Sequence, residues 1–74
     1  MAVLVKRSFA LAGHRTSVAL EPEFWAALAE EAAASQHKLV TLVAEIDAAR
    51  APDRPLASAL RVHALLRKPR GQVD

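Results

Sequence analysis

The pattern of apolar and polar positions changes once along the chain, from alternation to helical spacing. Residues 15–20, "RTSVAL", alternate as a β-strand does, so that one face can be buried while the other meets solvent. The face expected to be buried comprises Thr16, Val18 and Leu20. The outward face comprises Arg15, Ser17 and Ala19.

Apolar side chains after this strand recur at helical spacing in three runs. The first run predicts a helix from Pro22, a residue suited to the first helical position, to residue 35 or 36. The second predicts a helix from Leu39 that fades at "ARAPDRP", and the third predicts one over about residues 55–68, capped by Asp53 or Ser58. The first two helices are expected to bury Phe24, Trp25, Leu28, Leu39, Leu42, Val43 and Ile46. The third is expected to bury Leu56, Ala59, Leu60 and Leu66, and residues 70–74 are expected to fray.

A single strand cannot satisfy its own backbone hydrogen-bonding groups, and two sources of a partner strand are compatible with the sequence. Residues 7–11, "RSFAL", can fold back as a hairpin through Gly13 and His14, which puts Phe9 and Leu11 on the same face as the buried side of the strand. The other source is the same strand of a second copy, paired antiparallel across a twofold axis. The two sources do not exclude each other, because a hairpin keeps a free edge.

Composition favours an oligomer with one basic region. A chain of 74 residues buries little surface, and without Cys it has no disulfide, so a second copy is the expected source of additional core. The net charge is only +2, but residues 1–20 carry Lys6, Arg7 and Arg15 with no acid, whereas residues 21–35 carry acids and no base. A basic strand beside an acidic helix suits an anionic partner on one face.

Several classes of function find no support in the residues. His14, His37 and His63 fall on different elements without a metal-binding spacing, so neither a metal nor another cofactor is expected. The acidic residues have no accompanying nucleophile or glycine-rich loop, which argues against an enzyme. No apolar run is long enough to span a bilayer, and "MAVLV" precedes the basic residues, the reverse of a signal peptide; we therefore expect no membrane association and a cytoplasmic location.

Three ordered blocks, "GHRTSVALEPEFW", "LVAEIDAAR" and "LASALRV", resemble the ribbon-helix-helix family of DNA-binding proteins, and more closely a bacterial subgroup of short domains. The similarity covers about residues 6–64. It implies an α+β fold that forms an intertwined homodimer, with an intermolecular antiparallel β-ribbon that enters the DNA major groove. It divides the chain into a basic arm or first hairpin strand (1–14), the ribbon-helix-helix core (15–50), and a linker, third helix and frayed end (51–74). The apolar positions of the strand and first two helices would then form the dimer core.

The resemblance also implies which residues face DNA. Arg15 would donate two hydrogen bonds to guanine, and Ser17 would contact a base edge. Ala19 departs from the polar residue usual at its position and offers only apolar contact, for instance with a thymine methyl. His14 would hold the turn or contact phosphate, and Lys6 and Arg7 would strengthen phosphate binding.

A phosphate clamp at the start of the second helix is a further family feature, and its matching turn here is "SQHKLVTL". Many members have Gly where Gln36 stands and Ser or Thr where Lys38 stands, so the usual capping hydroxyl is missing. Lys38 could instead reach a phosphate by its own charge.

The function that the resemblance implies is sequence-specific binding of double-stranded DNA by a transcriptional regulator, expected to be a repressor. One alternative is an antitoxin that masks a toxin with its C-terminal part. The expected third helix argues against this alternative, because it leaves only a short tail to wrap a toxin. The other is a dimeric protein-interaction module that has lost DNA binding, an interpretation supported by Ala19, Gln36 and Lys38.

Overall fold

A computed structural model describes residues 3–67 of the chain. The elements follow in the order β1 (Val5–Leu11), β2 (His14–Leu20), α1 (Pro22–Ala34), α2 (Leu39–Ala49) and α3 (Leu56–Leu66). The two strands form an antiparallel sheet, and the helices pack against one of its faces. The α+β fold of N-terminal strand and helices is thus confirmed, while the expected fraying of residues 70–74 lies outside the described residues. Within the described part, no helix is long and apolar enough to cross a membrane.

The hairpin, one of the two expected sources of a partner strand, is present, but its turn differs from the expected one. Ala12 and Gly13 form the turn, with φ of 50° and 83°, the positive values that a type I′ turn requires at both central residues. The expected turn at Gly13 and His14 is therefore wrong. The observed register pairs Phe9 with Thr16, two residues away from the pairing that the expected turn implies. A shift of two residues keeps each side chain on its face, so the expected faces are confirmed.

Trp25 anchors β1 to the helices. Its indole Nε1 donates a hydrogen bond to the carbonyl oxygen of Val5 over 2.7 Å, and its ring centroid lies 5.8 Å from that of Phe9. The guanidinium of Arg7 lies 5.4 Å from the centroid of the Trp25 ring, within the range of a cation–π interaction. Leu11, at the end of β1, is buried. The first strand is therefore an integral part of the packed domain.

A single hydrophobic core lies between the sheet and the three helices. Most positions expected in the dimer core are buried within this one chain: Val18, Leu20, Trp25, Leu28, Leu42, Val43 and Ile46. Thr16, Phe24 and Leu39 are half-buried at its border. Leu66, expected in the core of the third helix, is 75% exposed, so that expectation is wrong. Whether a second copy shares this core stays a prediction, as does the intermolecular ribbon.

The third helix is tied to the start of the first by an ion pair. Arg61 Nε donates to a carboxylate oxygen of Glu21 over 3.0 Å, and the Arg61 guanidinium lies 5.9 Å from the centroid of the Phe24 ring. The hydrogen bond from the backbone N–H of Glu21, and then the hydrogen bond and charge of Arg61, hold the pKa of this carboxyl below its ordinary value of 4.5.

Pro55 is the residue that precedes the first turn of α3, so the expected caps at Asp53 and Ser58 are wrong.

The first helix ends in a Schellman motif. The backbone N–H of Gln36 donates to the carbonyl of Ala33 over 3.0 Å, and that of His37 donates to the carbonyl of Ala32 over 2.8 Å. Gln36 has a φ of 59°, in the left-handed region. This is the position where the resembling family often has Gly, and the backbone conformation accounts for that preference.

Replacing Gln36 by Gly is expected to raise the free energy of unfolding by about 0.5–1 kcal/mol, because the relief of left-handed strain exceeds the greater chain entropy of Gly in the unfolded state. Urea denaturation followed by circular dichroism measures this. Ala29→Gly, at an exposed position in the interior of the same helix, is the matched control and should lose about 1 kcal/mol. If Gln36→Gly destabilises the protein as Ala29→Gly does, the left-handed backbone is not a source of strain.

Candidate nucleic-acid interface

The hairpin presents a polar face that points away from the helices. Because directly opposite residues of an antiparallel pair share a face, the register assigns this outer face three cross-strand pairs. They are Lys6 with Ala19, Ser8 with Ser17, and Ala10 with Arg15. Ala19 is half-buried and the other five residues are exposed. Neither strand contains an acidic residue, so the face has positive charge only.

At the centre of the outer face, two hydroxyls are joined by a hydrogen bond. The Oγ atoms of Ser8 and Ser17 lie 2.8 Å apart. Counted from the two-residue turn, the outer pairs are the non-hydrogen-bonded pairs of the ladder, in which opposite Cα atoms approach most closely. The lysine and the arginine of the face therefore lie on either side of a hydrogen-bonded polar pair.

The structure separates the predicted DNA-contacting residues of the strands into two groups. Lys6, Arg15, Ser17 and Ala19 are together on the outer face. Arg7 and His14 belong to the opposite face, and the guanidinium of Arg7 lies over Trp25. Since residues 5–11 form a strand, Lys6 and Arg7 are not in the flexible basic arm that the sequence left open as an alternative.

Lys38 is at the predicted position, immediately before the first turn of α2. It is exposed, and its carbonyl accepts hydrogen bonds from the backbone N–H groups of Thr41 and Leu42 over 3.0 and 3.2 Å. Its side chain makes no capping hydrogen bond. The ammonium group is thus available to an external anion, but the phosphate clamp itself stays a prediction.

Ser8 and Ala10 belong to the outer face although sequence reasoning did not include them. The signal that could have found them is the alternation in "RSFAL", where Ser8 and Ala10 are out of phase with Phe9 and Leu11. Once the first strand is paired, this alternation determines which of its side chains stand beside Arg15 and Ser17.

The histidines are spread over the molecule as the sequence indicated. His14 is in β2, His37 Nδ1 lies 3.8 Å from a carboxylate oxygen of Glu45, and His63 Nε2 lies 2.7 Å from a carboxylate oxygen of Glu31. Among residues 3–67, no three His, Cys, Asp or Glu side chains are grouped as metal ligands.

A second surface feature is an open groove between the three helices, with a volume of about 1020 Å³. Apolar side chains such as Leu42, Ile46 and Val62 line it, with charged groups from Glu31 and Arg67 among them. Leu66 also lines the groove and Leu65 precedes it on α3, and each of these two residues is 75% exposed. The groove is therefore an apolar surface with both signs of charge, in contrast to the purely basic hairpin face.

A family model described as a ribbon-helix-helix domain matches residues 4–67, which is most of the chain and includes both strands and all three helices. No curated protein and no solved structure gives a significant match.

Proposed function

Because the chain belongs to the ribbon-helix-helix family of DNA-binding domains, we propose that it is a homodimeric transcriptional regulator that binds double-stranded DNA. We propose further that it acts in the cytoplasm as a repressor, by occupying an operator, and that it has no catalytic role. The observation that carries this proposal is the outer face of the hairpin, with Lys6 and Arg15 and without an acid.

Base edges and phosphates call for different side chains, and both kinds occur here. Arg15 has the planar donor fork that matches guanine O6 and N7, and Ser17 can donate to or accept from a base edge. Ala19 offers apolar contact only. Lys38 and the N-terminus of α2 suit a phosphate, as does Lys6 at the open end of the hairpin. Phosphate contacts would supply most of the affinity, and Arg15 with Ser17 the sequence preference.

A homodimer is supported by the small size of the domain and by the groove between its helices. The exposed side chains of Val62 and Leu66 line the groove and that of Leu65 lies beside it, and a second copy could bury this apolar surface. A dimer also doubles the number of cations that face DNA.

Light scattering and a salt series of DNA binding test the proposal together. We expect a dimer mass, and a binding constant for mixed duplexes that falls steeply with salt. If Lys6 and Lys38 of both copies contact phosphate, these contacts alone give a logarithmic slope of about −4. Lys38→Gln should reduce the slope by about 2 per dimer. Arg54→Gln, which removes an exposed charge from the loop before α3, is the matched control and should leave the slope unchanged.

A flat titration with mixed duplexes at low salt would contradict DNA binding. It would favour the second candidate function, a dimeric protein-interaction module, for which the apolar groove is the supporting observation. The antitoxin is the special case in which the partner is a toxin. The antitoxin is tested by looking for a stable complex with a heterologous protein that survives purification. The double substitution Leu65→Ser and Leu66→Ser should abolish this complex.

A further inference from the structure

The edge of β2 that faces away from β1 has open backbone groups. Counted from the two-residue turn, the inward pairs of the hairpin are its hydrogen-bonded pairs, so the N–H and C=O groups of Thr16 and Val18 point to β1. The backbone groups of Arg15, Ser17 and Ala19 point to the opposite edge. In the described part of the chain the sheet has two strands, so this edge pairs with no other segment. It can therefore accept a strand from a second copy.

We infer that two subunits join these edges into one antiparallel sheet of four strands, in the order β1-β2-β2-β1, and that β1 is the outer strand at the rim of the DNA groove. This inference rests on the proposed function, in which the strand before α1 forms the ribbon shared by two subunits. The hairpin observed in each chain then adds one outer strand on each side of that ribbon.

The open backbone groups also determine which residues meet across the twofold axis. Ser17 is the middle residue of β2, and an axis at Ser17 pairs all seven residues of the strand with the partner strand. Ser17 then lies opposite Ser17 of the partner subunit, and Arg15 lies opposite Ala19 of the partner subunit. An axis one residue away leaves two residues of each strand unpaired. The axis at Ser17 also separates the two Arg15 positions by four residues, about 14 Å along the strand, which keeps like charges apart.

The central row of the outer face then consists of serine hydroxyls, from Ser8 and Ser17 of each subunit. Within one subunit the two Oγ atoms lie 2.8 Å apart, and this hydrogen bond uses one of their two hydroxyl hydrogens. It orients the Ser17 hydroxyl at the twofold axis, where the central base pairs of a symmetric operator lie. Ser8 is thus a positioning residue that acts through Ser17.

The width of the sheet places β1 beside phosphate. At a strand spacing of about 4.8 Å, the β2 axes lie about 2.4 Å and the β1 axes about 7 Å from the twofold axis. The major groove is about 12 Å wide, so β2 lies within its half-width of about 6 Å and β1 lies beyond it. Lys6, on the outer face of β1, therefore faces the phosphates of the groove wall and not a base edge. Lys6 stands directly opposite Ala19, so each end of the ribbon has a cation at the rim.

Oxidative cross-linking of full-length variants tests the strand order. The chain has no Cys, so an introduced thiol is unique in each subunit. Ser17→Cys puts two thiols at an opposite hydrogen-bonded pair, where a Cα separation of about 5.5 Å permits a disulfide. We expect it to form a covalent dimer. Ser8→Cys, in the same row, is the matched control, and it should not cross-link because the two outer strands are about 14 Å apart.

Arg15→Cys and Ala19→Cys test the register. Neither variant should cross-link alone, whereas an equimolar mixture of the two should form a covalent heterodimer. Cross-linking of Ser8→Cys without cross-linking of Ser17→Cys would show that the β1 edges pair instead, and would overturn the inference. The inference is also overturned if neither Ser17→Cys nor the mixture cross-links.

Lys6→Gln tests the position of β1 on DNA. The probes are mixed duplexes and the duplex that native protein selects from a randomised library. We expect the same loss of affinity for both, and a logarithmic salt slope reduced by about 2 per dimer. Arg54→Gln, with a charge removed far from the sheet, should leave both affinities unchanged. A loss confined to one base position would place Lys6 inside the groove and contradict the four-stranded arrangement.

Ser8→Ala tests whether Ser8 positions Ser17. It should lower discrimination at the central base pairs by about fivefold, which corresponds to one hydrogen bond, while affinity for mixed duplexes stays the same. Ser8→Thr keeps the hydroxyl and should restore the discrimination, and Ser58→Ala, on α3, should not alter it. Unchanged discrimination in Ser8→Ala would exclude this role. If native protein selects no duplex at all, the proposed function fails, whereas failure of the Ser17→Cys cross-link with DNA binding intact removes this inference alone.

Discussion

Replacing Trp25 by Ala is expected to lower the free energy of unfolding by about 3–5 kcal/mol. The side chain is only 3% exposed, and it packs against Phe9 while its indole donates to the carbonyl of Val5. Its removal leaves a cavity under β1 and releases the cation–π contact with Arg7. Since a domain of this size is stable by only about 4–11 kcal/mol, the loss is a large share of the total. Urea denaturation followed by circular dichroism measures it.

Trp25→Phe separates packing from hydrogen bonding at the same position. The smaller ring keeps most of the apolar contact and loses the N–H donor, so the expected cost is about 1–2 kcal/mol. The hydrogen bond to the Val5 carbonyl is only partly buried, so the loss of its donor is not expected to add the full cost of an unsatisfied buried group. Equal losses in the two variants would mean that the hydrogen bond, and not the packing, holds the first strand. In both variants, the hydrogen-exchange rates of the β1 amides should increase more than those of the α1 amides.

The faces of the hairpin were predictable from the sequence, although its turn was not. Alternation has a period of two residues, so any register that differs by two leaves Arg15 and Ser17 outward and Val18 inward. The turn was misplaced because Gly13 is the only strong turn residue there and Ala12 gives no signal for a positive φ. An L-residue with a Cβ is disfavoured in that conformation, and only the pairing of the two strands imposes it.

Helix positions were predictable where local chemistry determines them. Pro22 begins the first helix and the prolines after Arg50 end the second, because proline suits the first turn and interrupts a continuing helix. The exposure of Leu66 was not predictable, because the apolar spacing of α3 continues past the point where the other helices can cover it. The shape of the groove between the three helices depends on the angles at which the helices cross, and the apolar spacing along one helix does not determine these angles.

The role of Arg7 shows a further limit of sequence reasoning. Charge alone grouped Arg7 with Lys6 and Arg15, but adjacent residues of a strand point to opposite faces. Whether residues 5–11 form a strand depends on contacts with Trp25, which is distant in the sequence. Local pattern therefore predicted the second strand and its outward residues, whereas the composition of the complete outer face required tertiary structure.

Replacing Arg15 by Ala is expected to reduce discrimination at one base position by about 1–3 kcal/mol, if its guanidinium reads guanine through two parallel hydrogen bonds. The side chain is exposed on the outer face, opposite Ala10, whose methyl group leaves room for a base edge to approach. The measurement compares the affinity for the duplex that native protein selects from a randomised library with that for duplexes substituted at each position, at one salt concentration.

Arg15→Lys distinguishes base reading from charge. Lysine keeps the positive charge and can still donate to guanine, but it lacks the planar fork, so it should retain the salt dependence of native protein while losing part of the discrimination at the same position. If Arg15 instead contacts phosphate, Arg15→Ala weakens binding equally for selected and mixed duplexes, and Arg15→Lys restores it. The two roles therefore predict opposite behaviour of the lysine variant. If selectivity is unchanged in both variants, Arg15 does not read a base, and base reading belongs to other side chains of the outer face.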